Sequence, residues 1–331
     1  MTVWPAGFAR IPDEEWTRAP VATLAAKYDA VGRHGWYDNL DPSVAELARE
    51  LRGGDVLVDY SGGTGLLIER LLAALGAREV GIVDVDSSPK FLALALEKLR
   101  DEPRVAFRLI RYLKDEKRLE TLDEALGAAM MARGVDAIVS ANAVHLYYGL
   151  DDTLAAWSRA LRPGGFVHVQ SGNVRNADAP TGAWIIDDTV AAVDAAAREI
   201  VRADSHFRRH RPALDDASRM AAHDAFRQKV FLPPRPLGHY VDALERAGLA
   251  VERVWTRPVA ARADEWHEFL AAYSDAVLGW VGGTEKVEGR PPSKEDLEER
   301  LSLMRLALGV VLTGRESFDA TWTYVNARKR A

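Results

Sequence analysis

Short apolar runs alternate with longer amphipathic stretches through the middle of the chain, between positions 56 and 169. This alternation is typical of βαβ units and therefore of a parallel sheet with crossover helices. The apolar runs predict strands at Val56–Asp59, Val80–Asp84, Val105–Leu109, Ala137–Ser140 and Phe166–Gln170. The amphipathic stretches predict helices, most clearly at Leu66–Leu75, Pro89–Leu99 and Asp151–Leu161.

The pattern changes after Gln170, where residues 174–230 are rich in Ala and Arg and have helical periodicity without a strand pattern. The alternation then returns. It predicts a helix, a strand, two helical stretches and a last strand, at Leu237–Ala247, Ala250–Trp255, 263–280, 293–312 and Phe318–Ala327. We therefore expect an α/β core that is interrupted by helical insertions.

The 331 residues are expected to form one body with elaborations rather than two separate domains. We expect a helical cap at 1–45, the core at 46–173 and a helical insertion or lid at 174–232. Residues 233–331 are expected to complete the sheet and to carry a second helical insertion at 262–315.

Composition narrows the function. The chain is 48% hydrophobic and 28% charged, as ordinary globular proteins are, and its net charge of −6 disfavours nucleic acid as a partner. Cysteine is absent, which excludes disulfides, thiolate metal sites and a cysteine nucleophile. The start lacks the pattern of a signal peptide, and no run of about 18 apolar residues predicts a membrane span. We expect a cytoplasmic protein.

The strongest chemical signal is V-L-V-D-Y-S-G-G-T-G-L-L, where a strand ends in Asp59 and a glycine turn opens a helix. Glycines allow close backbone approach to a ligand, and a helix N-terminus favours a carboxylate or phosphate. The second strand ends in V-D-V-D-S-S-P, where Asp84 is suited to accept the hydroxyl hydrogens of a ribose. The G-x-G-x-x-G spacing is not met after Gly63 and Gly65, which weakens NAD relative to other adenosyl ligands.

The segment D-Y-S-G-G-T-G resembles the D-x-G-x-G-x-G loop of class I S-adenosylmethionine-dependent methyltransferases, with Ser61 in place of the first glycine. V-D-V-D-S-S-P resembles that family's second strand, V-D-A-I-V-S-A-N-A-V-H-L its fourth strand, and R-A-L-R-P-G-G-F-V-H-V the turn into its fifth. The resemblance covers residues 25–173, and 250–256 with 317–327 match the final hairpin.

This resemblance implies a Rossmann-like, seven-stranded, mostly parallel sheet with an antiparallel last strand, helices on both faces and helical lids. It implies that residues 46–173 bind S-adenosylmethionine as the cofactor. Asp59 would fix the loop or the amino group, and Asp84 the ribose, with Asp86 as second choice because both point the same way. The expected cofactor-binding residues are Asp59, Ser61, Gly62, Gly63, Gly65, Asp84, Asp86, Ser87, Tyr112, Asn142 and Tyr28.

The substrate side is less specific. His145, just beyond the fourth strand, is either a general base or a loop histidine packed beneath the pocket. The cap that resembles a cofactor lid contributes His34 and Tyr37 as candidate substrate contacts, and the first insertion contributes Trp184. Aromatic residues in the insertions favour a large apolar pocket but are equally typical of a core; they are Trp184, Phe226, Phe231, Tyr240, Trp266 and Trp280.

The sequence therefore predicts methyl transfer from S-adenosylmethionine to an O, N or C atom of a small molecule, by in-line displacement. An NAD(P)-dependent oxidoreductase and a non-catalytic S-adenosylmethionine-binding protein are the alternatives. No metal is expected, because the acids that a metal-assisted catechol methyltransferase needs after the fourth strand are missing. The aromatic insertions are either a lid or the surface of a homodimer.

Overall fold

A computed structural model describes residues 3–330, apart from the side chain of residue 24. The strands are β1 (Val56–Tyr60), β2 (Gly81–Asp86), β3 (Val105–Leu109), β4 (Tyr112–Leu113), β5 (Arg118–Leu119), β6 (Val135–Ala141), β7 (Leu161–Ser171), β8 (Leu249–Arg262) and β9 (Ser317–Lys329).

The helices are α1 (Thr23–Ala30), α2 (Asp41–Glu50), α3 (Leu66–Leu75), α4 (Pro89–Leu99), α5 (Leu122–Arg133), α6 (Leu150–Ala160), α7 (Ile186–Ala203), α8 (Arg211–Asp215), α9 (Ala217–Val230), α10 (Leu237–Arg246), α11 (Ala263–Ala272), α12 (Ser274–Leu278), α13 (Glu285–Glu288) and α14 (Lys294–Val311). Short 3-10 helices lie at Glu15–Arg18, Val31–Arg33, Gly35–Leu40, Val144–Leu146 and Ser205–His210. Within residues 3–330, no helix combines the length and the apolar character that crossing a membrane requires.

Seven of the strands form one sheet in the order β3-β2-β1-β6-β7-β9-β8, and β4 pairs with β5 in a separate hairpin. Strand β9 is antiparallel to both of its neighbours, while the other strand pairs of the sheet are parallel. The predicted Rossmann-like sheet with an antiparallel last strand is thus confirmed. The strand order reverses between β1 and β6, and α/β sheets bind ligands beyond the carboxyl ends of the strands at such a point.

The central strands β1, β2 and β6 are almost wholly buried, as the near-continuous apolar runs of a covered parallel sheet predict. Alternate side chains enter two hydrophobic clusters, so that Leu57 and Ile82 belong to one, and Val58 and Val83 to the other. The first cluster also contains residues of α7, α11, α12 and α14, and the second contains residues of α5, α6 and α10. The insertion helices therefore share a core with one face of the sheet.

The hairpin of β8 and β9 is longer than the predicted strands, because it continues beyond the sheet. Strand β9 pairs with β7 from Thr323 to Arg328, but it pairs with β8 as far as Arg262 opposite Ser317. The added segment 256–262 contains two arginines and a proline, which hide its strand pattern in the sequence. Helices α11 to α14 connect the far ends of the hairpin, at the carboxyl edge of the parallel strands, and α14 packs against α7. Both insertions thus meet above that edge.

The cap is tied to the sheet through the buried Asn39. Its Oδ1 accepts hydrogen bonds from Asn142 Nδ2 (3.1 Å) and Gln170 Nε2 (2.9 Å), and its Nδ2 donates to the Trp36 carbonyl oxygen (2.8 Å). The Tyr324 hydroxyl donates to the Asn39 carbonyl oxygen (2.8 Å). These bonds join the cap to β7, to β9 and to the loop that follows β6.

We predict that Asn39→Ala destabilises the protein, because it leaves the amide donors of Asn142 and Gln170 without their acceptor. An unmade buried hydrogen bond costs about 1–3 kcal/mol, so the free energy of unfolding should fall by at least about 2 kcal/mol. Denaturant unfolding measures this change. The control is Asp38→Ala at the exposed neighbouring position, where the change should stay below about 0.5 kcal/mol. Equal losses in the two variants would contradict the assigned role of Asn39.

Candidate functional site

A cavity of about 440 Å³, here called the main cavity, lies beyond the carboxyl ends of β1, β2 and β6. Its walls come from the loops after these strands, from the cap and from the start of α4. They are Tyr28, Tyr60, Ser61, Gly63, Val85, Asp86, Ser87, Ser88, Phe91, Ile110, Leu119, Ala141, Asn142, Ala143, Leu146, Tyr147, Tyr148, Gly149, Thr153 and Tyr273.

Two smaller spaces adjoin the main cavity. The loop cavity, about 40 Å³, is lined by Tyr28, Tyr37, Leu40, Asp59, Ser61, Gly62, Gly63, Thr64, Leu66, Leu67, Ala141 and Asn142. The aromatic chamber, about 130 Å³, is lined by Tyr28, Val31, Trp36, Tyr37, Asn142, His145, Leu146, Ile186, Val230, Phe231, Phe269 and Tyr273. Tyr28 and Asn142 line all three spaces, so the spaces meet at these two side chains.

The glycine loop between β1 and α3 is held from below by β2. The N–H groups of Ser61 and Gly62 both donate to the Val85 carbonyl oxygen, at 2.7 and 3.2 Å, and Gly63 N–H donates to Asp86 Oδ2 at 3.0 Å. Gly63 has a φ of 65°, and a Cβ built there would meet no atom within 4 Å. Its backbone is therefore open to the main and loop cavities.

Ser61 replaces a glycine of the family loop in a left-handed conformation, with a φ of 66°. Such a conformation is unfavourable for a residue with a Cβ. The Ser61 hydroxyl lies 3.0 Å from the Tyr147 hydroxyl, which is also 2.8 Å from Ser140 Oγ. This side-chain hydrogen bond stabilises serine at a position where the family loop usually has glycine.

Two carboxyl groups are buried beneath the loop. Asp59 and Asp84 are opposite one another in β1 and β2. A Cβ at Gly62 would lie 2.3 Å from Asp84 Oδ1 and 2.9 Å from Asp59 Oδ2, so only glycine fits there. Within the part of the chain that the structure describes, both oxygens of Asp84 and the Oδ2 of Asp59 lack hydrogen-bond partners.

Burial, together with the neighbouring acids, raises the pKa values of these groups. Burial and then the Asp86 charge raise the pKa of Asp59 to about 7. Burial and then Asp59 and Asp86 raise the pKa of Asp84 well above its usual range. Burial raises the pKa of Asp86 to about 6, although backbone N–H groups, first that of Ser88, oppose it. No three His, Asp or Glu side chains of the described residues form a group that could hold a metal ion.

The second strand ends two residues later than the sequence predicted, so that Asp86, and not Asp84, is the acid at the strand end. Strand β2 continues to Asp86, opposite Leu109 of β3, before Ser88 caps α4. Asp84 is therefore inside the sheet, fully buried, and lines none of the three spaces. Asp86 lines the main cavity and accepts a hydrogen bond from Ser88 N–H at 2.7 Å.

Two further cofactor positions are not at the cavity. Gly65 has a φ of 80° and faces α4, where an added Cβ would lie 3.0 Å from the Leu99 side chain. Tyr112 is 58% exposed, because the chain turns outward after β3 into the β4–β5 hairpin. The wall at that end is made instead by Ile110 and Leu119. The remaining predicted residues line the main or the loop cavity; they are Tyr28, Asp59, Ser61, Gly62, Gly63, Asp86, Ser87 and Asn142.

Of the predicted substrate residues, Tyr37 lines two of the three spaces, the loop cavity and the aromatic chamber, whereas His34 and Trp184 line none of them. His34 contacts α11 instead, with its Nε2 3.0 Å from Glu268 Oε2. Trp184 extends the sheet instead, since its N–H donates to Asp319 O and its carbonyl oxygen accepts from Thr321 N–H. His145 lines the aromatic chamber, and burial lowers its pKa to about 4.

Several wall residues were not predicted as site residues, chiefly Phe91, Tyr147, Phe269 and Tyr273. Phe91 is in the first turn of α4, where its position beyond a strand end was an available signal. The aromatic residues of the insertions were expected to be either pocket walls or core, and both uses occur. Phe231 lines the chamber, while Trp266, Trp280 and Tyr240 are buried in hydrophobic clusters.

Residues 58–167 match the family model described as a methyltransferase domain. These residues belong to the methyltransferase domain family. No curated protein matches the chain. The matched segment runs from β1 into β7 and contains the glycine loop, Asp86 and His145, and it confirms the predicted class I family.

A solved structure resembles most of the chain in fold. The Bacillus subtilis YcgJ protein is 12% identical, with a TM-score of 0.51 over 89% of this chain and 99% of that one. Haemonchus contortus phosphoethanolamine N-methyltransferase 2, solved with phosphomonomethylethanolamine and S-adenosylhomocysteine, is 14% identical, with a TM-score of 0.48 over 93% of this chain and 57% of that one. At 12% identity, the similarity to the YcgJ protein shows the fold alone.

The cofactor of this methyltransferase domain is S-adenosylmethionine, as predicted, and the cavity residues fit it. The cofactor brings an ammonium group, a sulfonium, two ribose hydroxyls and an adenine ring. The partnerless Oδ2 of Asp59 and the carboxylate of Asp86 would supply negative charge for the cations and hydrogen-bond acceptors for the hydroxyls. Phe91, Ile110 and Leu119 supply an apolar wall for a flat ring.

We predict that Asp84→Asn makes the stability of the cofactor-free methyltransferase less dependent on pH. An acid whose pKa is higher in the folded than in the unfolded chain binds more protons when folded, so the free energy of unfolding falls as pH rises. For Asp84 the fall begins at the ordinary carboxyl pKa of 3.8 and continues towards its raised pKa, and Asp59 adds a fall that ends at about 7. Removing one buried acid should raise the free energy of unfolding at neutral pH and flatten this slope.

Urea unfolding at a series of pH values between those limits measures the slope. The matched control is Asp101→Asn, at an exposed aspartate, which should leave the slope unchanged. An Asp84→Asn slope equal to that of the unsubstituted protein would show that Asp84 is ionised at neutral pH in the folded chain.

Proposed function

We propose that the protein transfers a methyl group from S-adenosylmethionine to a small-molecule acceptor. One observation carries the proposal: the main cavity meets the aromatic chamber at Tyr28 and Asn142, next to the open glycine loop. A cofactor cavity and an acceptor chamber that share a boundary are what a direct transfer between two bound molecules needs.

The residues divide by the charge and shape that they present. Asp86 is the acceptor for the ribose hydroxyls, because it lines the main cavity and its position is fixed by the N–H groups of Gly63 and Ser88. Asp59 faces the ammonium group from the loop cavity. A cation there also relieves the repulsion among the three buried acids, which would hold Asp59 in its charged form.

The cofactor supplies a methyl group on a positively charged sulfur, and in the transfer the carbon–sulfur bond breaks as the bond to the acceptor atom forms. The chain orients the acceptor through the aromatic residues above the carboxyl edge. Tyr28 and Tyr37 remain neutral. The neighbouring Tyr37 and then burial raise the pKa of Tyr28 well above its usual value, and burial raises the pKa of Tyr37 to about 12, although its hydrogen bond to Tyr28 opposes that shift. The proton of an acceptor hydroxyl or amine leaves to solvent.

A small acceptor is favoured by the walls of the chamber. The walls of the chamber come from the cap and from both insertions, which supply Trp36, Phe231 and Phe269. A net charge of −6 gives no attraction for a nucleic-acid backbone. These features support a small-molecule acceptor over nucleic acid.

Calorimetric titration with S-adenosylmethionine, S-adenosylhomocysteine and NADH tests the proposed cofactor site. We expect both sulfur ligands to bind, and Asp86→Asn to weaken them at least about tenfold, since a hydrogen bond to a charged group contributes about 1.5–3 kcal/mol. Tyr112→Ala is the control and should leave affinity within about twofold, because its side chain points outward. Binding of NADH alone would contradict the proposed function.

A further inference from the structure

The aromatic chamber has a wall of rings above the cofactor cavity. The rings of Trp36 and Phe269 lie edge to face at 5.5 Å, and those of Phe269 and Tyr273 at 5.6 Å. Phe231 contacts Tyr273 in the same way, at 5.7 Å. Aromatic rings in such arrangements favour a further flat ring packed against them.

The chamber contains no charged side chain. Its twelve lining residues include no Asp, Glu, Lys or Arg, and the polar ones are Tyr28, Tyr37, Tyr273, Asn142 and His145. A charged ligand in this chamber would lose its hydration without gaining a partner of opposite charge, which is costly. The walls therefore favour an acceptor without formal charge.

The hydrogen on the His145 ring can be placed from its neighbour Ser171. Ser171 Oγ accepts a hydrogen bond from Asn173 N–H at 3.0 Å and lies 2.9 Å from His145 Nδ1. Among the described residues, His145 Nδ1 is the only hydrogen-bond acceptor within reach of the Ser171 hydroxyl hydrogen. Nδ1 therefore accepts, and the single hydrogen of the neutral ring is on Nε2.

The Nε2–H of His145 has no hydrogen-bond partner among the described residues. Because His145 lines the chamber, this N–H is left for a ligand there. A neutral imidazole in this tautomer donates a hydrogen bond and does not remove a proton through Nε2. In this arrangement His145 acts as a donor, a role different from the general base that was one of its two expected roles.

We infer that the acceptor is an uncharged ring compound, packed against Trp36, Phe269 and Tyr273, with an oxygen that accepts a hydrogen bond from His145 Nε2–H. This inference rests on the proposed function, because it takes the chamber as the acceptor side of a methyl transfer. Ser171 is the positioning residue, since it acts on the ligand only through the tautomer of His145.

The charge preference is tested with four ligands on one ring system: naphthol, naphthalene, naphthoate and naphthylmethylammonium. Each is titrated calorimetrically into the protein saturated with S-adenosylhomocysteine. We expect naphthol to bind best, and the anion and the cation at least about tenfold more weakly, because neither finds a counter-charge in the chamber. Preference for either charged ligand would overturn the assignment of a neutral acceptor.

The donor is tested with His145→Gln, which keeps an N–H group, and His145→Leu, which has none. Naphthol affinity should stay within about threefold in the first variant and fall about tenfold in the second, the effect of one hydrogen bond. Unchanged S-adenosylhomocysteine affinity shows that each variant is folded. Equal naphthol affinity in the two variants would overturn the donor role.

The tautomer is tested by nitrogen NMR of the eight histidines at neutral pH, with His145 assigned through the His145→Gln variant. We expect a protonated Nε2 and a bare Nδ1 in the unsubstituted protein and in Ser171→Thr, which keeps the hydroxyl. Ser171→Ala should give a mixture of tautomers. A protonated Nδ1 in the unsubstituted protein would overturn the assignment.

These outcomes are separable from failure of the proposed function. If the protein binds neither S-adenosylmethionine nor S-adenosylhomocysteine, the proposed function fails whatever the tautomer of His145. If S-adenosylhomocysteine binds but charged rings are preferred, only the present inference fails.

Discussion

The structure depends most on how the chain passes from β1 into α3 above two buried carboxyl groups. Gly62 must be glycine, because Asp84 and Asp59 occupy the space of its Cβ. The N–H of Gly63 then meets Asp86, which fixes the loop against the end of β2. One contact of 3.0 Å thus aligns the loop backbone and the carboxylate that face the main cavity. The turn is stabilised by strands that are buried on both faces, but its acids lack hydrogen-bond partners. Ionisation of these acids therefore lowers the free energy of unfolding of the cofactor-free protein.

The roof over this loop is held by polar contacts as much as by apolar packing. Asn39 joins the cap to β7 and to the loop after β6, and Trp322 Nε1 donates to Asn142 Oδ1 at 2.7 Å. Asn142 is itself in a left-handed conformation, with a φ of 57°, and it lines all three spaces. The residue at the boundary between the cofactor cavity and the chamber is therefore fixed by both the cap and the last strand. A rigid boundary favours a constant distance between two bound reactants.

Much of the core could be predicted from sequence, because buried parallel strands and glycine turns depend on local patterns. The length of the β8–β9 hairpin could not be predicted, because Arg257 and Pro258 break the alternation in the part that continues past the sheet. The acid at the end of β2 was uncertain because Asp84 and Asp86 share a face, and only pairing with β3 decides where the strand ends. The chamber brings together the cap and two distant insertions, which no local pattern connects. From the sequence alone, its aromatic residues therefore cannot be distinguished from ordinary core residues.

The most direct test of the account is a crystal structure of the protein with S-adenosylhomocysteine. The account predicts the ribose hydroxyls on Asp86, the adenine beside Ile110 and Leu119, and the sulfur at the boundary marked by Tyr28 and Asn142, facing the aromatic chamber. A ligand outside the main cavity, or one whose sulfur faces away from that chamber, would contradict it.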